Sequence, residues 1–192
     1  MSDFSSTDNW AIYYHNDGFN IKGDRIMGRQ AAGWSFLKGV INSNPKKLGL
    51  YIQDDEQKNI AINDIKSILK NDQKIEIDWI PFNQPEISSK FGGIFFPGPD
   101  LNEYSFNRSY HGHNSYSLVG ITHTTASYSV INSFRQIETS NLMPWDAIIC
   151  TSDSVLDTVN KVIISNRENL ISKGISTSGI LPKLPVIPLG ID

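Results

Sequence analysis

Short apolar runs alternate along the chain with longer segments in which apolar residues recur every three or four positions. Continuous apolar runs are typical of strands that a parallel sheet buries on both faces, and the longer spacing is typical of helices that bury one face. The alternation predicts an α/β fold, an open and mostly parallel sheet with helices on both faces. The clearest apolar runs lie at 10–14, 48–52, 93–96, 118–121 and 147–150.

Helical spacing and cap residues define the other elements. Ser152 is placed to cap the last helix and Gly174 to end it. Residues 75–79 alternate apolar and charged side chains, which predicts a half-exposed strand near a sheet edge. A last strand, flanked by prolines, is predicted over 184–189. Helices are predicted at about 30–40, 54–70, 126–138 and 153–172.

Composition and charge narrow the class of protein. Hydrophobic residues make up 39% of the 192 residues, as in globular chains. A net charge of -3 without a basic run gives no indication of nucleic-acid binding. The single cysteine, Cys150, suits a reducing compartment, and no apolar stretch approaches the ~20 residues that span a bilayer. We therefore expect a cytoplasmic domain over 10–192, after a flexible N-terminus over 1–9, with at most peripheral membrane contact.

Residues 28–33 follow the first strand, and ligands of open parallel sheets bind at the carboxyl ends of strands. Their two glycines and two alanines let a ligand approach the backbone at a helix N-terminus, which attracts anions. A tight turn packed against the sheet explains the same composition. The P-loop lysine that would follow Gly33 is missing, and so is the dinucleotide fingerprint.

Residues 120–127 place a histidine and several hydroxyls after another strand. His123 can bind a sugar hydroxyl or move a proton near neutral pH. Alternatively, His123 bonds locally while Thr124, Thr125 or Ser127 caps the next helix. These two interpretations stay open at this point.

The remaining candidates have weaker chemistry. Cys150 lacks a nearby base and is expected to be a small buried residue, with Thr151 as a helix cap. His111 and His113 do not match a zinc-binding spacing, so no metal site is expected. Arg108 is either solvated or bound to a phosphate or a carboxylate.

Several segments, in this order, resemble the N-terminal domain of bacterial family 4-like glycosyltransferases of the GT-B architecture. The resemblance runs from about Trp10 to Asp192 and so covers nearly the whole chain. No single motif is specific, and the resemblance depends on their order and spacing. The segments are 28–33, 97–100, 120–127, 144–152 and 184–192.

This resemblance implies the Rossmann-like, acceptor-side half of a retaining, metal-independent transferase. Such an enzyme moves a sugar from a nucleotide-sugar donor to a hydroxyl of a glycan, a lipid or a small molecule, without a cofactor. The C-terminal nucleotide-sugar-binding domain is absent from this chain, so the resemblance implies that it is supplied in cis or in trans. The chain alone is therefore expected to be inactive.

The resemblance also implies roles for single residues. Gly28, Arg29 and Gln30 would approach the donor diphosphate or the acceptor, and Gly33 would permit close packing. His123, with Thr122 and Thr124 beside it, would hydrogen-bond the transferred sugar and stabilise developing positive charge through its backbone carbonyl. These roles suit the chemistry, because a departing diphosphate needs positive charge and N–H dipoles while an oxocarbenium-like centre needs acceptors.

Two other classes of function are compatible with the sequence. One is a binding module that holds a sugar or a nucleotide without turnover. The other is a nucleotide-sugar epimerase, which shares the two-domain plan. An oxidoreductase on a similar fold would need the dinucleotide fingerprint, which the sequence lacks.

Overall fold

The computed structural model describes residues 9–21, 28–70 and 72–190. Within them the strands, β1 to β6 in chain order, are Asn9–Tyr13, Lys47–Ile52, Glu76–Pro81, Gly93–Phe95, Ser117–Thr122 and Ala147–Cys150. They form one sheet in the order β3-β2-β1-β4-β5-β6. The pairings β1 with β2, β1 with β4, β2 with β3 and β5 with β6 are parallel. The predicted open parallel α/β sheet is confirmed.

Helices connect these strands. In chain order, α1 to α6 are Asn16–Phe19, Gly28–Asn42, Asp55–Ile68, Asn102–Ser109, Tyr128–Gln136 and Asp153–Ser172. Two 3-10 helices lie at Pro85–Phe91 and Ile137–Thr139. Helices α2, α3, α5 and α6 occupy the predicted places, whereas α1, α4 and the first 3-10 helix were not predicted. Helix α4 escapes prediction because the residues that it buries, Ser105 and Arg108, are polar.

The chain divides into two compact units, Met1–Pro97 and Gly98–Asp192. In the first unit, β3 pairs with β2 and ends the strand order, which confirms the predicted edge strand. Its charged positions remain partly exposed, and Lys47 forms ion pairs with Glu76 at 2.9 Å and with Asp78 at 3.4 Å. The core of this unit is aliphatic and aromatic, with fully buried Ile12, Leu37, Leu48, Leu50, Ile65 and Ile80.

In the second unit, the boundaries of α6 are those predicted. Ser152 caps the helix, since its hydroxyl accepts from the Val155 amide at 3.2 Å. Gly174 follows with a φ of 72°. Its amide donates to the Ile171 carbonyl while the Ile175 amide donates to Leu170, the paired bonds of a Schellman end.

The predicted last strand forms only in part. Lys183 and Val186 make isolated parallel bridges to β6, and the ladder here consists of separate backbone bonds, including Ile187 N to Cys150 O at 2.9 Å. Pro185 lies within this stretch and has no N–H to donate, so the regular parallel ladder is interrupted. Prediction of a full strand over 184–189 is therefore wrong.

β1 begins at Asn9, the last residue of the N-terminal segment predicted over 1–9. Residues 1–8 lie outside the described part of the chain, as do Ile191 and Asp192 of the segment 184–192.

Candidate functional site

The strand order reverses between β1 and β4, both of which lie in the first unit. A sheet with this order binds ligands at the carboxyl ends of the strands, where the order reverses. Tyr13 is the last residue of β1 and Phe96 follows β4, and their rings stack with centroids 5.3 Å apart. The sequence does not distinguish either ring from its neighbours, because both residues belong to predicted apolar runs.

The glycine-bearing segment forms the first two turns of α2 and is not a loop. Gly28 is the first residue of this helix, and Gly28 and Arg29 are exposed while Gln30 is half-buried. Helix N-termini carry backbone N–H groups without intrahelical acceptors and a partial positive charge. The exposed guanidinium of Arg29 adds to this positive potential.

Gly28 and Gly33 differ in their surroundings. A Cβ at Gly33 would lie 2.0 Å from the Gly18 carbonyl oxygen, so the close packing of α1 on α2 requires glycine there. The packing role predicted for Gly33 is confirmed. A Cβ at Gly28 would meet no described atom within 4 Å, so packing within the described residues does not require a glycine at this position.

A buried hydrogen bond fixes the chain just after β1. The Tyr14 hydroxyl donates to Asp64 Oδ2 at 2.6 Å, and the Tyr14 ring stacks on Phe19 of α1. Burial, together with this bond to the carboxylate, raises the pKa of Tyr14 far above its usual range. The neutral hydroxyl therefore ties β1 and α1 to α3. Asp64 is fifty residues away, and the sequence carries no signal of the contact.

In the second unit, Thr122 is the last residue of β5 and is fully buried. Its carbonyl accepts from the Thr151 hydroxyl at 3.0 Å, so Thr151 braces the strand end and the helix-cap role predicted for it is wrong. Among the described residues, Thr122 Oγ1 has no hydrogen-bond partner. His123 follows directly and is half-buried.

The hydroxyls after His123 serve local structure. Thr124 Oγ1 accepts from the Ala126 amide at 3.1 Å, and Ser127 caps α5 by accepting from the Val130 amide at 3.3 Å. The local-capping interpretation is therefore confirmed for Ser127. Thr124, predicted to bind a ligand, uses its oxygen as the acceptor of a turn.

Gly120 of β5 lies so close to the backbone of another segment that only a glycine fits there. A Cβ at Gly120 would lie 2.5 Å from the Gly98 carbonyl oxygen, which also accepts from the Ile121 amide at 3.3 Å. Two segments of the resemblance, 97–100 and 120–127, thus meet through backbone contacts at Gly98.

Arg108 binds a carboxylate, one of the predicted alternatives. Its guanidinium pairs with both oxygens of Asp146, at 2.5 and 2.7 Å, and both side chains are fully buried. Arg108 is thus a structural group of the second unit. Cys150 is buried as predicted, and burial raises the pKa of its thiol.

His111 and His113 are exposed. Within the described ranges, no three His, Cys, Asp or Glu side chains are grouped so that they could hold a metal ion. In the same residues, no helix is long and apolar enough to cross a membrane.

The predicted site residues therefore form two groups, one in each unit. Gly28, Arg29, Gln30 and Gly33 lie on the first turns of α2, and Thr122, His123 and Thr124 are consecutive at the end of β5. No family model, no curated protein and no solved structure matches this chain.

Proposed function

We propose that this chain is the acceptor-side half of a retaining glycosyltransferase, which moves a sugar from a nucleotide-sugar donor to an acceptor hydroxyl. The observation that carries the proposal is Gly28, an exposed glycine that begins α2 and whose Cβ position is open among the described residues. In this proposal, the start of α2 faces the donor diphosphate or the acceptor.

Neither packing nor backbone conformation within the described residues requires a glycine at position 28. A glycine costs up to about 1 kcal/mol relative to alanine inside a helix, and less at a first helical residue such as Gly28. Its Cβ position is open, and it does not belong to the glycines with positive φ, such as Gly92 or Gly112. Close approach of a ligand to the backbone accounts for a glycine here, and exposed Arg29 suits an anionic ligand.

His123 supplies the second part of the proposal. Its imidazole follows the end of β5 and is half-buried. A carbonyl oxygen near the reacting carbon stabilises positive charge that develops as the sugar leaves the diphosphate. The half-buried ring can hydrogen-bond a sugar hydroxyl at the same time.

A binding module without turnover is the second candidate. It is favoured by the local engagement of polar side chains in the second unit. Thr124 and Ser127 stabilise a turn and a helix end after β5, and Arg108, which lies by the start of β5, is held in a buried ion pair. Fewer groups then remain for chemistry than the sequence alone indicates.

A donor screen on the gene product that contains this chain separates the candidates. UDP-glucose, GDP-mannose and ADP-glucose are each supplied with and without sugar acceptors, and release of nucleoside diphosphate is measured. The transferase proposal predicts release that depends on the acceptor. Donor binding without release identifies a binding module, and conversion of the donor sugar without acceptor identifies an epimerase. Failure to bind any donor or acceptor overturns the proposal.

The role of Gly28 is tested separately, with Gly39 on the same helix as the matched control. Both glycines are exposed, and no described atom lies within 4 Å of either Cβ position. Gly28→Val should weaken donor or acceptor binding about tenfold or more, while Gly39→Val leaves binding unchanged. Equal affinities in both variants would contradict ligand contact at the start of α2.

A further inference from the structure

A groove in the second unit lies between α4 and the segment that follows α5. Its volume is about 300 Å³. Helix α5 spans nine residues, or about 13 Å at 1.5 Å per residue. The groove lies at the C-terminal end of α5, whereas His123 precedes its N-terminal end. Its lining residues are Asn102, Glu103, Phe106, Gln136, Thr139, Ser140 and Asn141.

The two walls of the groove are tied together by hydrogen bonds. From α4, the side-chain amide nitrogen Nδ2 of Asn102 donates to the Ser133 carbonyl at 3.0 Å and to Gln136 Oε1 at 3.3 Å. The opposite wall is fixed at Asn141, whose backbone N–H donates to Ser105 Oγ at 3.2 Å. The groove is therefore shaped before any ligand binds, which lowers the entropic cost of binding.

The buried guanidinium of Arg108 fixes the wall that contains Asn141 from below. Arg108 Nη2 donates to the Asn141 carbonyl at 3.0 Å while it pairs with Asp146. This charge is neutralised and fully buried, so it fixes the position of Asn141 and does not attract a ligand.

One wall of the groove presents an aromatic surface. Phe106 is 53% exposed, and its ring packs edge-on against Tyr110 one helical turn later, with centroids 5.3 Å apart. An exposed phenylalanine of this kind offers an apolar face next to polar groups, which suits the C–H face of a sugar ring.

The other lining groups suit hydroxyls. The Thr139 and Ser140 hydroxyls donate to backbone carbonyls at 3.1 and 2.7 Å, so their oxygens can accept. The Ser140 oxygen already accepts from the Leu142 amide at 3.3 Å and keeps one lone pair for a ligand. Gln136 accepts through Oε1 and keeps N–H groups to donate. Glu103 can accept from a hydroxyl and disfavours an anion. The described lining contains no lysine or arginine.

We propose that this groove binds a neutral sugar residue at a site separate from His123. The ring of Phe106 packs against the apolar face of the sugar, and the amide, hydroxyl and carboxylate groups hydrogen-bond its hydroxyls. The proposal does not rest on the proposed transferase function, because sugar binding here needs neither a donor nor a reaction.

The test is a titration of the isotope-labelled chain with methyl glucoside, methyl galactoside and methyl mannoside, followed by backbone amide NMR. We expect at least one sugar to bind with a Kd on the order of 10 mM or tighter and to shift the amides of 102–106 and 136–141. Phe106→Ala should weaken binding about fivefold or more. The matched control is Tyr128→Ala, because Tyr128 is 78% exposed and begins α5 at its other end.

Three outcomes would overturn the proposal. The first is the absence of saturable shifts in the groove with all three sugars. The second is an equal loss of affinity in the Phe106 and Tyr128 variants. The third is binding of inorganic phosphate in the groove instead of a sugar. Unfolding curves of both variants must match the wild type, and Glu103→Gln provides a second lining variant if Phe106→Ala fails to fold.

Discussion

At the scale of single residues, two glycines of α2 have different roles. Gly33 lies against the backbone of Gly18, while Gly28 begins the helix with open space around its Cβ position among the described residues. Gly33→Ala should lower the free energy of unfolding by about 2–3 kcal/mol, because the added methyl group forces α1 and α2 apart. Gly28→Ala should leave stability unchanged or raise it by up to about 1 kcal/mol. Urea unfolding measures both, and equal effects would contradict the assignment.

Tyr14 makes stability depend on pH in the alkaline range. Its pKa is raised in the folded protein by burial and by the bond to Asp64. Below about pH 10, tyrosine is neutral in both states and the contribution is fully present. Above that pH the unfolded tyrosine ionises while the folded one does not, so the contribution is lost as pH rises.

The free energy of unfolding should therefore fall more steeply above about pH 10 in the wild type than in Tyr14→Phe. Urea unfolding at a series of alkaline pH values measures the difference between the two proteins. Parallel curves over this range would show that the Tyr14 hydroxyl has an ordinary pKa.

The sequence predicted those site residues whose role depends on near neighbours. Ser127 caps the helix that begins one residue later. The packing of Gly33 was predictable from the small residues of its own segment, although its partner Gly18 lies in α1. Arg108 could not be assigned, because its partner Asp146 lies thirty-eight residues away in a different element. The aromatic pair of Tyr13 and Phe96 could not be predicted for the same reason, since only the sheet order places the two rings together.

At the scale of elements, α6 depends on its caps because it buries few of its residues. Ser152→Ala removes the acceptor for the Val155 amide and should lower the free energy of unfolding by about 1 kcal/mol. Ser154, exposed two residues later inside the helix, is the control, and Ser154→Ala should be neutral or slightly stabilising. Thermal or urea unfolding measures the stability of both variants. Similar losses of stability in Ser152→Ala and Ser154→Ala would exclude a specific capping role for Ser152.

Elements were predictable where apolar spacing and caps agree. β6 and α6 have the predicted bounds because a continuous apolar run passes directly into a capped amphipathic helix. α4 buries an arginine and a serine, so its sequence lacks an apolar period. Residues 184–189 carry an apolar run, but Pro185 removes a donor from the ladder.

At the scale of the whole molecule, the second unit is organised around the buried pair of Arg108 and Asp146. Besides pairing with Asp146, Arg108 donates to the Tyr116 and Asn141 carbonyls, and Asp146 accepts from the Leu118 and Met143 amides. The pair thus connects α4, the start of β5 and the segment before β6.

Arg108→Met should lower the free energy of unfolding by about 3–5 kcal/mol, because it leaves the Asp146 carboxylate buried without its cation. The double variant Arg108→Met, Asp146→Leu should lose less than the sum of the two single variants. A double-mutant cycle from urea unfolding tests this, and strict additivity would contradict a coupled pair.

We propose above that His123 lies beside the sugar that a retaining transferase moves. The most direct measurement is the rate and anomeric outcome of sugar transfer by the gene product that contains this chain. The wild type is compared with His123→Ala and with a control variant, His113→Ala, which changes an exposed histidine. We expect a product that keeps the donor's anomeric configuration. His123→Ala should lower the rate about 100-fold or more with folding retained, and His113→Ala should leave it near wild type. A product of inverted configuration, or a His123→Ala rate near wild type, would contradict this proposal.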